Sequence, residues 1–157
     1  MEPLRVTDVM NSTVITISDE ATLPEALDLM RQHKISGLVV VDHSGHMVGV
    51  ISQTDLLRAW QEGADYQARK GAAVSQYMTR EVISCASHKS LNYAMQTLDR
   101  HQIHRLVVVE TRDGGRFVTD RMKPVGILSQ TDIVRALVDR LGGSKDEEEV
   151  EAGAAPG

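Results

Sequence analysis

Residues 49–55 are Gly-Val-Ile-Ser-Gln-Thr-Asp, and residues 126–132 are Gly-Ile-Leu-Ser-Gln-Thr-Asp. Each copy is followed by two apolar residues and then Arg-Ala. The similarity extends upstream at an offset of 68 residues, where apolar positions within 6–41 coincide with those within 74–109. One unit of about sixty residues buries little core alone, whereas two stacked units bury a continuous one. The sequence therefore predicts a tandem pair of repeats.

The repeat also predicts the domain boundaries. The first repeat covers residues 1–60 and the second covers 74–139, with a polar, Gly-containing linker at 61–73. An insertion raises the offset to 77 residues in the second repeat, and its Asp-Gly-Gly sequence predicts an extended hairpin at 111–123. Residues 140–157 are acidic and then rich in small residues, a composition that predicts a disordered tail.

The composition is that of a globular protein, with 41% hydrophobic and 25% charged residues. No apolar run approaches the roughly 20 residues of a membrane span. The first residues have no apolar signal segment, so we expect a cytoplasmic protein. The only cysteine, Cys85, fits that compartment, excludes an internal disulfide and is expected to be buried. A net charge of −5 without a basic stripe argues against nucleic acid as the main partner.

Within each repeat, the residue pattern predicts the order strand, helix, strand, strand, helix. Thr22 and Glu25 have the spacing of a capping box at the start of the first helix, and Ser90 takes the capping position in the second repeat. The second helix of each repeat begins at the Ser-Gln-Thr-Asp motif. Short apolar or β-branched runs predict the strands of the first repeat at 14–17, 38–41 and 47–51.

The repeated motif lies where a buried strand passes into a helix. Free backbone N–H groups and the helix dipole attract phosphate at such a point, hydroxyls such as Ser52 and Thr54 add hydrogen bonds, and Asp55 can accept from a ribose diol. A nucleotide would satisfy all three. The alternative is that Thr54 and Thr131, or their Asp neighbours, only cap their own helices. A cap requires only one of the four residues, so recurrence of all four favours a ligand.

At this point the chain resembles a pair of CBS domains, the cystathionine β-synthase type regulatory repeats. Their hallmark is a Gly-hydrophobic-x-Ser/Thr-x-Ser/Thr-Asp segment at the last strand-to-helix junction, and the resemblance covers residues 6–139. It implies an α/β fold of two β-α-β-β-α repeats, packed through their sheets with pseudo-twofold symmetry as a stand-alone Bateman module. It also implies adenosine ligands in two clefts between the repeats.

The start of the second repeat's central strand, residues 101–109, is similar to that of the nucleotide-sensing γ subunit of AMP-activated protein kinase. There a His-Arg pair contacts phosphate, so the resemblance makes His104 and Arg105 phosphate ligands. The first repeat has Ser36-Gly37 at these places, as in inosine monophosphate dehydrogenase, so we expect clefts that differ in charge. The alternatives are a solvated charge for Arg105 and a structural role for His104.

The resemblance further implies that the motif of one repeat faces the strand starts of the other. One cleft would then contain Ser129, Thr131, Asp132, Thr16, Ile35 and Ser36. The other cleft would contain Ser52, Thr54, Asp55, Ser84, Ile103, His104 and Arg105. If each cleft is built within one repeat, the pairing is exchanged.

These features predict a non-enzymatic sensor without a cofactor, which binds AMP, ADP or ATP and modulates an unidentified partner protein. A homodimer is expected because apolar helix positions such as Leu56-Leu57 and Ile133-Val134 exceed what one sandwich buries. Two alternatives are a ligand-free dimerisation module and an S-adenosylmethionine sensor. Enzymatic chemistry is disfavoured because no Ser-His-Asp order or Walker-type loop is present. A metal site is disfavoured because the histidines spaced three apart, His43 with His46 and His101 with His104, have no nearby Cys and no Glu at a helical zinc spacing.

Overall fold

The computed structural model of the chain describes residues 2–61, 70–111 and 121–142. Parts of the predicted linker (62–69), of the predicted hairpin (112–120) and of the predicted tail (143–157) lie outside the described residues. The first repeat contains α1 (Val6–Val9), β1 (Thr16–Ser18), α2 (Leu23–His33), β2 (Gly37–Val41), β3 (Met47–Ser52) and α3 (Gln53–Gln61). The second contains a 3₁₀ helix (Val74–Gln76), β4 (Ser84–Ala86), α4 (Leu91–His101), β5 (Arg105–Thr111), β6 (Met122–Ser129) and α5 (Gln130–Gly142).

The predicted order of elements is confirmed in both repeats. Each sheet has three strands, ordered β1-β2-β3 and β4-β5-β6, with the first pair parallel and the second pair antiparallel. The first strand begins at Thr16, two residues later than the run at 14–17 predicts, since only residues 16–18 pair with β2. Helix α5 continues to Gly142, past the predicted end of the second repeat at residue 139.

The starts of α2 and α4 are set by local side chains. Thr22 Oγ1 accepts from the Glu25 N–H at 3.4 Å, and Glu25 Oε2 accepts from the Thr22 N–H at 3.1 Å, which confirms the capping box. Ser90 Oγ accepts from the Tyr93 N–H at 3.1 Å. Both helices end on a residue with left-handed backbone, Lys34 with φ 54° and Gln102 with φ 52°.

Alternation along the central strands divides the core into layers. In β2, Leu38 and Val40 pack against the helices of their own repeat, while Val39 packs against the other sheet. Val107 and Val109 of β5 meet Val39 in this middle layer. The two sheets therefore pack face to face and the helices lie outside them, as the resemblance implies.

The residues that precede β1 and β4 belong to the core of the opposite repeat. We call residues 4–11 and 72–79 the lead-in segments. Val6 is fully buried among α4, β5, β6 and α5 of the second repeat, and Val74 is fully buried in the core of the first. The two repeats of the sequence are therefore completed in space by an exchange of their lead-in segments.

Reciprocal backbone hydrogen bonds hold this exchange. Asn11 and Ile127 exchange two N–H···O bonds of 2.8 and 2.9 Å, and Thr79 and Val50 exchange two bonds of 2.9 and 2.8 Å. The offsets of 68 and 77 residues make these two pairs equivalent. The contacts thus follow the pseudo-twofold symmetry of the pair.

The glycine of each repeated motif lies where a lead-in segment crosses the last strand. A Cβ placed on Gly49 would lie 2.7 Å from the Thr79 carbonyl oxygen and 2.8 Å from the Met78 sulfur. A Cβ on Gly126 would meet the Met10 side chain first. Gly49 requires glycine because backbone passes directly over it, whereas the space at Gly126 is filled first by a side chain and then by the Asn11 carbonyl oxygen at 3.2 Å.

Of the apolar pairs that were expected on the outer faces of α3 and α5, only one residue of each pair is exposed. Leu56 and Ile133 are 1% and 5% exposed and belong to the cores, so the prediction that they form an outer apolar face is wrong. Leu57 and Val134 point outward, both 58% exposed. Helix α5 carries an outward stripe at helical spacing, formed by Val134, Leu137, Val138 and Leu141. Among the described helices, none has the length and apolarity needed to cross a membrane.

Candidate ligand-binding clefts

Each Ser-Gln-Thr-Asp motif forms a capping box between its first and last residue. Ser52 N–H donates to Asp55 Oδ2 at 2.9 Å, and Asp55 N–H donates to Ser52 Oγ at 3.1 Å. The second motif repeats this with Ser129 and Asp132, at 3.3 and 3.0 Å. The alternative that the motif caps its own helix is therefore wrong for Thr54 and Thr131, because the serine hydroxyls fill that role, and confirmed for Asp55 and Asp132, which accept from the serine N–H groups.

The cap leaves part of each motif for other partners. Thr54 and Thr131 are exposed. The second carboxylate oxygen, Oδ1, lies 4.0 Å from Arg58 Nη1 in the first motif and 4.0 Å from the equivalent arginine in the second. The Asp55 and Asp132 side chains are 12% and 27% exposed. Each junction therefore presents a hydroxyl and a carboxylate oxygen at a helix N-terminus.

The start of β2 lies against the first junction. Gln53 N–H donates to the Ser36 carbonyl oxygen at 2.8 Å, and Gly37 faces Ser52 across the sheet. Ser36, Gly37 and Gln53 carry no charge, whereas Asp55 and Arg58 lie on α3 and Arg31 of α2 lines a shared pocket with Ile35 and Gln53.

The second junction has the same backbone contacts and a different charge. Gln130 N–H donates to the His104 carbonyl oxygen at 2.9 Å, and Arg105 faces Ser129 across the sheet. The His104 ring nitrogen Nδ1 lies 2.9 Å from Gln130 Oε1, and both His104 and Arg105 are exposed. The two junctions therefore differ by an imidazole and a guanidinium.

Thr16 and Ser84 lie two residues in from the junction ends of their sheets, and Ser84 Oγ lies 3.9 Å from the Met122 sulfur at the start of β6. Because β1 runs parallel to β2, the start of β1 shares an end of the sheet with the start of β2 and the end of β3. Thr16 pairs with Val39, and Ser84 pairs with Val107. Ile35 and Ile103 are half-buried against the helical cores of their own repeats.

The hydrogen bonds of the described residues join each motif to the strand starts of its own repeat. They correspond to the exchanged pairing that the sequence left open. The cross-repeat grouping stays a prediction. The sequence reasoning missed Gln53 and Gln130 as contributors, although the recurrence of glutamine in both motif copies is a signal that could have identified them.

Other reactive groups are accounted for by packing. Cys85 is 2% exposed, and burial raises the pKa of its thiol above the ordinary value. This confirms its predicted burial. Within residues 2–61, 70–111 and 121–142, no three His, Cys, Asp or Glu side chains are grouped so that they could hold a metal ion.

The family is decided by a profile match at both repeats. The CBS domain profile matches residues 6–62 and 74–139. The chain belongs to the CBS domain family. CBS domain pairs are generally regulatory modules, and related enzymes carry them as a regulatory part.

Three comparisons place this CBS pair among its relatives. It is 36% identical over 106 residues to the CBS domain-containing protein YhcV of Bacillus subtilis, covering 67% of this chain and 72% of the relative. It is 31% identical over 126 residues to the human 5′-AMP-activated protein kinase subunit gamma-3, covering 78% of this chain but only 24% of the relative. The crystal structure of CBSX2 in complex with AMP superposes with a TM-score of 0.69 at 27% identity, covering 87% of this chain and 97% of that chain.

Proposed function

We propose that this CBS pair is a non-enzymatic sensor that binds AMP, ADP or ATP in clefts between its repeats and thereby modulates a partner protein. The observation that carries the proposal is the second junction, where exposed His104 and Arg105 flank a helix N-terminus that also bears Ser129, Thr131 and Asp132. The exposed imidazole and guanidinium lie beside the positive end of the helix dipole, which suits a phosphate group, while the N–H groups of Gln130 and Asp132 are bonded to the His104 carbonyl oxygen and to Ser129 Oγ.

Different side chains suit the phosphate and the ribose of an adenosine nucleotide. A planar guanidinium such as Arg105 binds phosphate oxygens through two parallel N–H bonds. The Oδ1 atoms of Asp55 and Asp132 can accept from ribose hydroxyls, because the cap engages the other oxygen of each carboxylate. The crystal structure of CBSX2 with AMP supports an adenosine phosphate as the ligand of a similar CBS pair.

The charge difference between the junctions favours unequal sites. The first junction has Ser36 and Gly37 where the second has His104 and Arg105. A more highly charged nucleotide should therefore prefer whichever cleft contains the second pair. In the cross-repeat grouping that cleft also contains Asp55, and in the exchanged grouping it contains Asp132.

The assembly we propose is a cytoplasmic homodimer, with neither nucleic acid nor a membrane as partner. Its interface would include the outward apolar residues of the last helices, Leu57 on α3 and the α5 stripe of residues 134–141. Apolar groups at helical spacing on an outer face favour contact with a second copy. A dimer of this kind would connect the ligand clefts to a surface that a target protein can recognise.

Titration calorimetry with AMP, ADP, ATP, adenosine and S-adenosylmethionine tests the proposal. Adenosine phosphates should bind more tightly than adenosine. Arg105→Ala should weaken phosphate ligands by about 10- to 150-fold, the range of a charged hydrogen bond worth roughly 1.5–3 kcal/mol. Arg100→Ala, which removes an exposed arginine at the end of α4, is the matched control and should bind like wild type.

The aspartates are tested by Asp→Asn rather than Asp→Ala, because Asn keeps an acceptor for the capping serine N–H. Asp55→Asn combined with Asp132→Asn should retain the fold and lose ribose recognition. A binding heat with S-adenosylmethionine alone would favour a sensor of that ligand instead. Absence of a binding heat with all five ligands would favour the ligand-free dimerisation module.

A further inference from the structure

The two repeats place the same glutamine in the same backbone setting but against different side chains. Gln53 and Gln130 both begin the last helix of their repeat, and each donates its N–H to the carbonyl oxygen of the residue before the central strand. In the first repeat that residue is Ser36. In the second it is His104, whose Nδ1 lies 2.9 Å from Gln130 Oε1. Gln130 therefore holds His104 through both its main chain and its side chain.

This contact decides which ring nitrogen carries hydrogen. The amide oxygen Oε1 can only accept, so the facing Nδ1 must donate. In a neutral imidazole the other nitrogen, Nε2, then has no hydrogen and cannot donate to an anion. Protonation adds a hydrogen at Nε2 without disturbing the bond to Gln130. Only the imidazolium of His104 can thus donate from Nε2 to a phosphate.

We propose that Gln130 is a positioning residue that fixes the Nδ1–H tautomer of His104 and thereby makes phosphate binding at the second junction dependent on protonation of that ring. This inference rests on the proposed nucleotide function and adds a regulation by pH. Binding favours the protonated ring, so affinity is highest when His104 is charged in the free protein. Affinity therefore falls when the ring loses its Nε2 hydrogen.

The elements that flank His104 carry charged groups of both signs. The titratable and charged groups on these elements are Tyr93, Asp99, Arg100 and His101 on α4, Arg105 and Glu110 on β5, and Asp132, Arg135, Asp139 and Arg140 on α5.

The test combines two measurements on the full chain. Nitrogen-15 NMR of the histidine rings reports the His104 tautomer in the free protein, and calorimetry reports AMP affinity at about pH 5.8 and about pH 7.8. Because only the imidazolium can donate from Nε2, wild type should bind AMP more weakly at the higher pH. The AMP phosphate also titrates near pH 6. We call the AMP affinity at about pH 5.8 divided by that at about pH 7.8 the pH ratio. The phosphate contributes equally to the pH ratio of every variant, so comparison with the pH ratio of His104→Asn removes its contribution.

Gln130→Leu removes the acceptor and frees the tautomer, so its pH ratio should shrink toward that of His104→Asn. Gln130→Glu keeps an acceptor and should preserve the Nδ1–H form, which retains a test if the leucine variant does not fold. Gln96→Leu, which replaces an exposed glutamine of α4 outside both motifs, is the control and should leave the wild-type ratio.

The outcomes separate the two claims. An Nδ1–H signal in wild type that is lost in Gln130→Leu, together with the reduced pH ratio, supports the proposal. An Nε2–H signal in wild type, or a Gln130→Leu ratio equal to that of wild type, overturns it while nucleotide binding stands. Absence of AMP binding by wild type overturns the proposed function and this proposal with it.

Discussion

Gly49→Ala is the sharpest test of how the two repeats are joined. The added methyl group would lie 2.7 Å from the Thr79 carbonyl oxygen and 2.8 Å from the Met78 sulfur. The sulfur belongs to a flexible side chain that can move. The carbonyl oxygen is backbone, and Thr79 is held by two hydrogen bonds to Val50, so the lead-in segment must shift as a whole.

The size of the effect follows from two opposing contributions. Overpacking one methyl group costs about 1–3 kcal/mol, and the upper half of the range applies because backbone must move. Replacing glycine lowers the entropy of the unfolded chain, which raises the free energy of unfolding by about 0.4–1 kcal/mol. The free energy of unfolding should therefore fall by about 1–2.6 kcal/mol, which lowers the melting temperature by about 2–10 °C for a domain of this size.

Urea unfolding followed by circular dichroism measures the change, and three companion variants define its origin. Gly71→Ala is the control, because no atom lies within 4 Å of its added Cβ, so it should match wild type or exceed its stability by up to about 1 kcal/mol. Met10→Ala should relieve most of the cost of Gly126→Ala, whose first contact is the Met10 side chain. Met78→Ala should relieve little at Gly49. Equal stability of Gly49→Ala and Gly71→Ala would refute the reasoning.

Two further predictions concern the surface and the core. Val138→Asp places a charge in the exposed α5 stripe, where Val138 is 60% exposed, and light scattering should then report a monomer in place of the proposed dimer, with helicity unchanged. Thr97→Asp, on α4, is the control. A wild-type chain that is already monomeric at micromolar concentration contradicts the dimer. The thiol of Cys85 should resist iodoacetamide in the native state and react in urea, because burial raises its pKa and blocks access; rapid alkylation of the folded chain would show that the site opens.

Local chemistry explains what the sequence predicted well. Thr22 and Glu25 are three residues apart and form their capping box without help from the rest of the chain. The apolar run at residues 38–41 can be satisfied only by burial on both faces, which is what β2 provides between helices and the opposite sheet.

What the sequence did not show depends on contacts between distant segments. Val6 lies at the start of the first repeat in the chain but fills the core of the second, and no local pattern distinguishes the two cores. Gln130 and His104 are 26 residues apart and meet only because β5 and β6 are paired. Lys34 adopts a left-handed backbone at the end of α2, where composition alone would favour glycine or asparagine.

The exchange of lead-in segments has a consequence for stoichiometry. A chain with only one repeat could complete its core only by borrowing this segment from another molecule, so its folding would depend on protein concentration. Two repeats in one chain make the same exchange intramolecular, where the effective concentration is fixed by the connecting residues. Removal of residues 2–11 should accordingly damage the second repeat, at the far end of the sequence, because Val6 and Asn11 contact that repeat.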